Sequence, residues 1–383
     1  MSTRRVFFHR RYHTYDFTGR LTVRLKLTLV TGVFAWISVL ATSICSAEVQ
    51  RQEFRVVGTW SYLDHWKKRE EPFWRERIPS LSDGKLTAKV KSLTDLGISG
   101  FEIMRLLKKG TYDVVHGMTN YVAQDSPVIE GVDLAGVAQD LPTFIKVNNV
   151  YREILAKEFR KKYRAQLLML YGWPSLQLWC NFGHRNPSAF SLKTFKGKKI
   201  RALSLTIGDF IEGIGAQAVI IPYAGIIPAL KQGTADCGIT GTVPAYRDKW
   251  WQIITHNIRI RLGYASSFMA MNSKVWDGLN TETQDLLLNA MPNFEAEMWQ
   301  ATKLNDQRFS DCNVGEPCRK EGGGEHPRDA MAVVESSTAD QAKIKTVVEK
   351  IVLKRWAQRC GTQSCIDDWN STIGKIQGMT ARR

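Results

Sequence analysis

The sequence predicts an α/β protein built as two lobes, and three observations carry that prediction. At 383 residues the chain exceeds what one hydrophobic core supports, since single cores stop growing at roughly 250 to 300 residues. A composition of 44% hydrophobic, 10% aromatic and 23% charged residues is that of a folded protein and excludes disorder over most of the length. Strand-like and helix-like segments alternate, the pattern of a parallel sheet with right-handed crossovers whose strand C-termini line one edge, where ligands bind.

Phe54 to Trp60 reads as a strand, and Tyr62 to Pro79 places Trp66, Phe73, Trp74 and Ile78 near helical spacing. Ser82-Asp83-Gly84 is a turn, Lys85 to Thr94 alternates as a second strand, Gly100 to Lys109 is a short helix closed by Gly110, and Thr111 to Met118 is a third strand. Val147 to Tyr163 is a long amphipathic helix whose basic last turn suits the negative end of the helix dipole. Gln166 to Tyr171 forms a strand that leads into Gly172-Trp173-Pro174. A second series follows, with strands over Leu176 to Asn181, Lys198 to Ala202, Ala218 to Ile221 and Ala235 to Thr240, and helices over Ile207 to Gly215 and Ile226 to Gln232. Met269 to Asn272 begins a return segment, and Thr281 to Gln307 has a long helical pattern interrupted at Pro292. Asp311 to Glu325 is a surface loop, and Lys343 to Gln358 is helical, with Trp356 and Trp369 as packing anchors. About 60 terminal residues hold too little core to stand alone.

Residues 1 to 26 carry seven Lys/Arg and one acid, Leu27 to Ile44 is uncharged and mostly apolar, and Cys45-Ser46-Ala47 ends the stretch with small residues. That order is a cleavable secretory signal over residues 1–47, with an uncleaved N-terminal anchor as the alternative and a weak twin-arginine match at Arg4-Arg5. Either way the chain is exported, and a periplasmic location is expected. The formal charge of +16 falls to +10 without that leader, from 46 Lys/Arg against 36 Asp/Glu. The remaining clusters, Lys67-Lys68-Arg69, Lys161-Lys162 and Lys196 to Arg201, are short and read as solvated faces, so no nucleic-acid partner is expected. Seven cysteines become six once Cys45 leaves, an even count that favours disulfides in an oxidising compartment. Cys312 with Cys318 and Cys360 with Cys365 look like local staples. Cys180 and Cys237 either pair across one lobe or remain buried thiols. No cysteine or histidine spacing matches a zinc site, so neither metal nor cofactor is expected.

The most informative stretch is Ile221 to Gly241, IPYAGIIPALKQGTADCGITG, which packs two strand ends, a short helix and a glycine stop into 21 residues. Upstream lies Leu192 to Arg201, LKTFKGKKIR, and downstream Met271 to Leu279, MNSKVWDGL. In order and spacing these motifs resemble the DctP-type substrate-binding proteins of TRAP (tripartite ATP-independent periplasmic) transporters, over roughly residues 54 to 310. Trp356 to Asn370 resembles a tail found in one branch of that family. The resemblance implies a two-lobe periplasmic-binding-protein-like fold with crossing strands and a long connecting helix, closing on an organic acid that is handed to TRAP membrane permease subunits. It divides the chain into a first lobe of residues 51–176 plus 265–296, a second of 177–264 plus 297–310, and a C-terminal extension of 311–383 with cysteine-closed loops and a helix.

The Lys-Ile-Arg position of that family clamps the ligand carboxylate, which assigns the role here to Arg201. A guanidinium at a strand end presents a planar fork that matches a carboxylate and keeps its proton. The chain also departs from the family pattern. Cys180 stands where many acid-binding members carry a second arginine, Gly225 and Ile227 stand where many have Glu and Tyr, and Thr240 replaces an Asn. The expected pocket is therefore less polar than a dicarboxylate or sialic-acid site. Trp60, Trp173, Trp179 and Tyr223 are expected to line it, with Asn181, Thr240 and Gln177 supplying hydrogen bonds beside Cys180. His65, His116 and His184 have no recognisable catalytic partner. Asp133 and Asp236 are lone carboxylates, the latter capping its strand turn. The alternative function is an exported hydrolase-like enzyme using the interlobe cleft, with Cys180 beside His184 as its nucleophile and base. A Cys180–Cys237 disulfide would abolish that chemistry.

Overall fold

Two sheets organise the molecule. The computed structural model describes residues 48–183, 191–260, 262–315 and 331–383; the expected leader, His184 and Cys318 lie outside them. The first sheet has the order β2-β1-β3-β10-β4, from strands β1 (Gln52–Gly58), β2 (Leu86–Ser92), β3 (Val114–Met118), β4 (Ala165–Trp173) and β10 (Ala265–Asn272). The second has the order β11-β9-β5-β8-β6-β7, from β5 (Leu176–Cys180), β6 (Lys199–Ala202), β7 (Gln217–Ile220), β8 (Cys237–Gly241), β9 (His256–Arg259) and β11 (Ala332–Glu335).

Both sheets are mixed rather than parallel throughout. β1 pairs parallel with β2 and β3, as strand–helix–strand units require, but β10 runs antiparallel to β3 and β4. In the second sheet β6 is parallel to β7 and β8, whereas β5 is antiparallel to β8 and β9. The antiparallel strands are those that cross between lobes. β4 passes into β5 after only Pro174 and Ser175, and β9 returns into β10, so one member of each crossing opposes the local winding. At the return, Gly263 has φ +95° and a Cβ there would sit 2.5 Å from the Ala138 carbonyl oxygen, so the backbone passes where only glycine fits.

The helices follow local signals. Residues 64–81 are helical and bury Trp66, Phe73, Trp74 and Ile78 against the first sheet. The helix Leu141–Glu158 starts six residues before the expected Val147, because Asp140 caps it by accepting from the Thr143 N–H at 2.9 Å and Pro142 fits its first turn. The helix Thr281–Asn313 continues through Pro292 instead of breaking there. Pro292 and the residue four before it, Leu288, lie on the exposed face, where water satisfies the carbonyl that the proline cannot serve.

This long helix ties the lobes together. Its first half buries Leu287, Phe294 and Met298 in the core of the first lobe. In its second half Asp306 accepts from the Ser175 N–H at 2.8 Å, and Asn313 donates to the Thr242 carbonyl at 2.8 Å. Beyond it, β11 adds to the edge of the second sheet, parallel to β9. The C-terminal helices pack back onto the body through the expected anchors. Trp356 donates to the Pro127 carbonyl and Trp369 to the Gly131 carbonyl, with both rings fully buried. Among the described residues no helix is long and apolar enough to cross a membrane.

Candidate functional site

Arg201 sits near the C-terminal end of β6, in the parallel core of the second sheet, and is only 1% exposed. Its Nε donates to the Ile221 carbonyl at 2.8 Å and its Nη1 to the Ile239 carbonyl at 2.7 Å. Nη2 is buried and has no hydrogen-bond partner. Burial pushes the guanidinium pKa down, and the groups that oppose this are the Tyr121 and Tyr223 side chains rather than any carboxylate. The strand end thus holds a rigid, desolvated cation whose remaining donors lack an anion. Burying a charge without a partner is costly, so such a residue in a cavity signals a ligand of opposite charge.

Arg201 lines a cavity between the two lobes. Trp60 and Tyr121 enter from the first lobe, at the ends of β1 and β3, Trp173 from the crossing, and Tyr223 from the second lobe after β7. The Trp60 ring lies 5.7 Å from Trp173, 6.2 Å from Tyr121 and 5.6 Å from Tyr223, the last contact spanning the cleft. Aliphatic wall comes from Leu63, Met118, Leu176, Leu203 and Pro244, and Thr240 adds a polar side chain to the lining. Trp60, Tyr121 and Tyr223 also border an outer groove lined by Leu93, Ile98 and Pro222, so these rings separate the inner cavity from the cleft mouth.

Of the expected site residues, Arg201, Trp60, Trp173, Tyr223 and Thr240 converge on this cavity, while Trp179, Cys180, Asn181 and Gln177 do not line it. The reason is strand direction. β5 touches the cavity at Leu176 and then leads away at roughly 3.3 Å per residue. Trp179 is buried under the sheet, edge-on to Trp250, with Nε1 donating to the Thr240 carbonyl at 3.1 Å. Gln177 turns toward the long helix, accepting from Asn257 at 2.7 Å and donating to Ser310 at 3.3 Å. Asn181 is exposed and closes a turn onto the Gly183 N–H. Tyr121, Leu63, Met118, Leu176 and Leu203 escaped the sequence reading. Tyr121 follows β3, and the strand-end rule could have found it.

Cys180 is disulfide-bonded to Cys237 and fully buried, so it offers no free thiol as nucleophile. Cys360 pairs with Cys365, and Cys312 is disulfide-bonded while Cys318 lies outside the described residues. Asp236 does not cap its own turn as expected: its carboxylate accepts from the Lys199 N–H at 2.8 Å, at the start of β6. His65 packs behind Trp173 with ring centroids 4.3 Å apart. His116 accepts from the Trp74 indole at 3.1 Å, inside the first lobe. Among the described residues no three His, Cys, Asp or Glu side chains cluster to hold a metal.

Residues 58–322 match the DctP family, bacterial extracellular solute-binding protein family 7. Comparison with curated protein sequences finds no match. Among solved structures, the chain is similar to DctP7, a Bordetella pertussis extracytoplasmic solute receptor binding pyroglutamic acid, at 16% identity and a TM-score of 0.72, covering 85% of this chain and 99% of that one. It is likewise similar to DctPAm of Advenella mimigardefordensis, a sugar acid binding protein in complex with galactonate, at 17% identity and TM-score 0.72 over 86% of this chain and 100% of that one. A TRAP periplasmic solute binding protein of Sulfurospirillum deleyianum with bound succinate matches at 18% identity and TM-score 0.70, over 86% and 100%.

Proposed function

We propose that this chain, which belongs to bacterial extracellular solute-binding protein family 7, captures an organic acid between its lobes and presents the closed form to a TRAP-type permease outside the cytoplasm. The observation that carries this reading is the buried Arg201, which lines the interlobe cavity and whose Nη2 is buried without a hydrogen-bond partner. A carboxylate there would accept from Nη2, with the Tyr121 hydroxyl close enough to share it. Shifting a two-lobe hinge from 1:99 to 99:1 takes about 5.5 kcal/mol of differential affinity. A charge-assisted contact on the second lobe and ring contacts from the first, formed together only when the cleft shuts, supply a differential of that kind. The disulfides support an oxidising compartment, in keeping with the basic–apolar–small order of residues 1–47.

Isothermal titration of the purified protein against organic acids tests the reading. Arg201→Ala should weaken binding of any acid that the wild type holds by about 100-fold or more, as expected when one member of a buried charge pair is removed. Arg201→Lys should recover only part of it, because an ammonium lacks the planar fork. Equal affinity for wild type and Arg201→Ala would remove the clamp from the mechanism.

A further inference from the structure

We infer that the ligand is a monocarboxylate with an apolar, ring-shaped or branched body, rather than a dicarboxylate or a polyhydroxylated acid. This rests on the reading of the cavity as the organic-acid site and sharpens it. The wall fixes the class by counting charges and hydrogen-bonding groups. Among the described residues Arg201 is the single cation lining the cavity, and two of its three nitrogens already serve the Ile221 and Ile239 carbonyls. One carboxylate fills what remains. A second carboxylate would have to lie among Leu63, Met118, Leu176 and Leu203, where an ionised group finds no partner and loses its hydration. The position at which many relatives were expected to place a further guanidinium is Cys180, which is locked to Cys237 and does not reach the cavity.

Hydroxyl-rich acids meet the same obstacle. A sugar acid needs a donor or acceptor for each hydroxyl, since every one buried without a partner costs affinity. Among the described residues the lining offers few polar side chains, Thr240, Tyr121 and Tyr223 beside Arg201. The indole rings of Trp60 and Trp173, 5.7 Å apart, line the same cavity and suit a flat or branched apolar group. The rings of Trp60, Tyr121 and Tyr223 close the cavity off from the outer groove.

The test titrates the purified protein at pH 7.5 with phenylacetate, 3-methylbutanoate, succinate and galactonate, after native mass spectrometry has shown whether an acid remains bound from the cell. Phenylacetate or 3-methylbutanoate should bind at least about 100-fold more tightly than succinate and galactonate, the ratio expected when a buried polar group is left unpaired. Trp60→Ala should weaken the preferred acid by about 10-fold or more, with Trp60→Phe recovering much of the loss and circular dichroism reporting the fold of both variants. Succinate or galactonate binding as tightly as the apolar acids overturns the assigned class but leaves an acid receptor standing. No binding of any of the four, together with no acid adduct in the mass spectrum, overturns the receptor reading itself.

Discussion

Glu70 shows how a single buried carboxyl sets the acid–base behaviour of the first lobe. It is fully buried and accepts from the Thr59 N–H at 2.7 Å, the Thr59 hydroxyl at 3.0 Å and the Tyr171 hydroxyl at 3.1 Å. Desolvation outweighs these bonds and raises its pKa from 4.5 to about 7. Its neighbour His116 is pushed the other way, to about 3, by the same burial. Trp74 donates to His116 Nε2, which leaves the proton on Nδ1, 3.8 Å from Glu70 Oε1. The pair is therefore neutral in mildly acidic solution. Because the folded pKa of Glu70 is raised, its stabilising effect is complete below pH 4.5 and is lost as pH rises through about 7; Asp133, raised from 3.8 to about 7, acts alike. His116 and His65, lowered from 6.5 to about 3, stabilise above pH 6.5 and lose that effect as pH falls through about 3. Between about pH 4.5 and 6.5 the two acids and two histidines cancel. Glu70→Gln removes one opposing slope, so its unfolding free energy should rise with pH relative to wild type by about 1.4 kcal/mol per unit in that window. Urea unfolding at pH 4.5, 5.5 and 6.5 measures the difference; parallel curves for the two proteins would show that Glu70 does not titrate as described.

Among the elements, β5 and β8 carry the strongest local constraint. Cys180 and Cys237 are register partners on these antiparallel strands and are joined by a disulfide 57 residues apart in sequence. β8 also pairs with β6 at Ile200↔Cys237 and Arg201↔Gly238, so the bridge anchors the strand that flanks the clamp. A loop of that length corresponds to about 4 kcal/mol of chain entropy removed from the unfolded state. Replacing both cysteines by alanine should lower unfolding free energy by about 2 to 4 kcal/mol in urea titrations, with acid affinity retained because neither residue lines the cavity. A loss below about 1 kcal/mol would place the bridge among those with no net effect. The alternation that announced β1 to β8 was readable because buried strands and amphipathic helices differ in period. β9 and β11 were not, although β6 and β7 are equally short, and β11 sits at a sheet edge. Sheet direction was also hidden, since residue pattern does not reveal that β10 returns from the other lobe. The same limit governs the site. Trp60, Trp173, Tyr223 and Arg201 were recognisable as residues at strand ends or at the crossing, whereas Trp179 and Cys180 are near the crossing in sequence but farther along a strand that leaves it.

At the scale of the whole molecule, the C-terminal helices matter because they grip both lobes away from the crossing strands. Arg359 donates to Asp209 at 2.7 Å, on the second-lobe helix Leu205–Gly213, and to Glu130 at 3.2 Å, in the first lobe. Glu130 in turn accepts from the Thr206 N–H at 2.8 Å, at the start of that same second-lobe helix. One buried carboxylate is thus held by a backbone donor from the opposite lobe and by a guanidinium from the tail, while Trp356 and Trp369 fix the tail to the carbonyls of Pro127 and Gly131. Burial pushes the Glu130 pKa up, and Arg359 is the largest influence holding it down. Without that cation the carboxylate becomes a cost in any arrangement that keeps it buried between the lobes, and parting the lobes would rehydrate it. Arg359→Ala should therefore enlarge the radius of gyration of the ligand-free protein in small-angle X-ray scattering. It should also weaken acid binding by about tenfold through a smaller closed population, although Arg359 does not line the ligand cavity. Saturating acid should restore the wild-type radius, since ligand and tail draw on the same closure equilibrium. An unchanged radius together with unchanged affinity would reduce the Arg359–Glu130 contact to a local surface pairing and leave hinge control to the crossing strands alone.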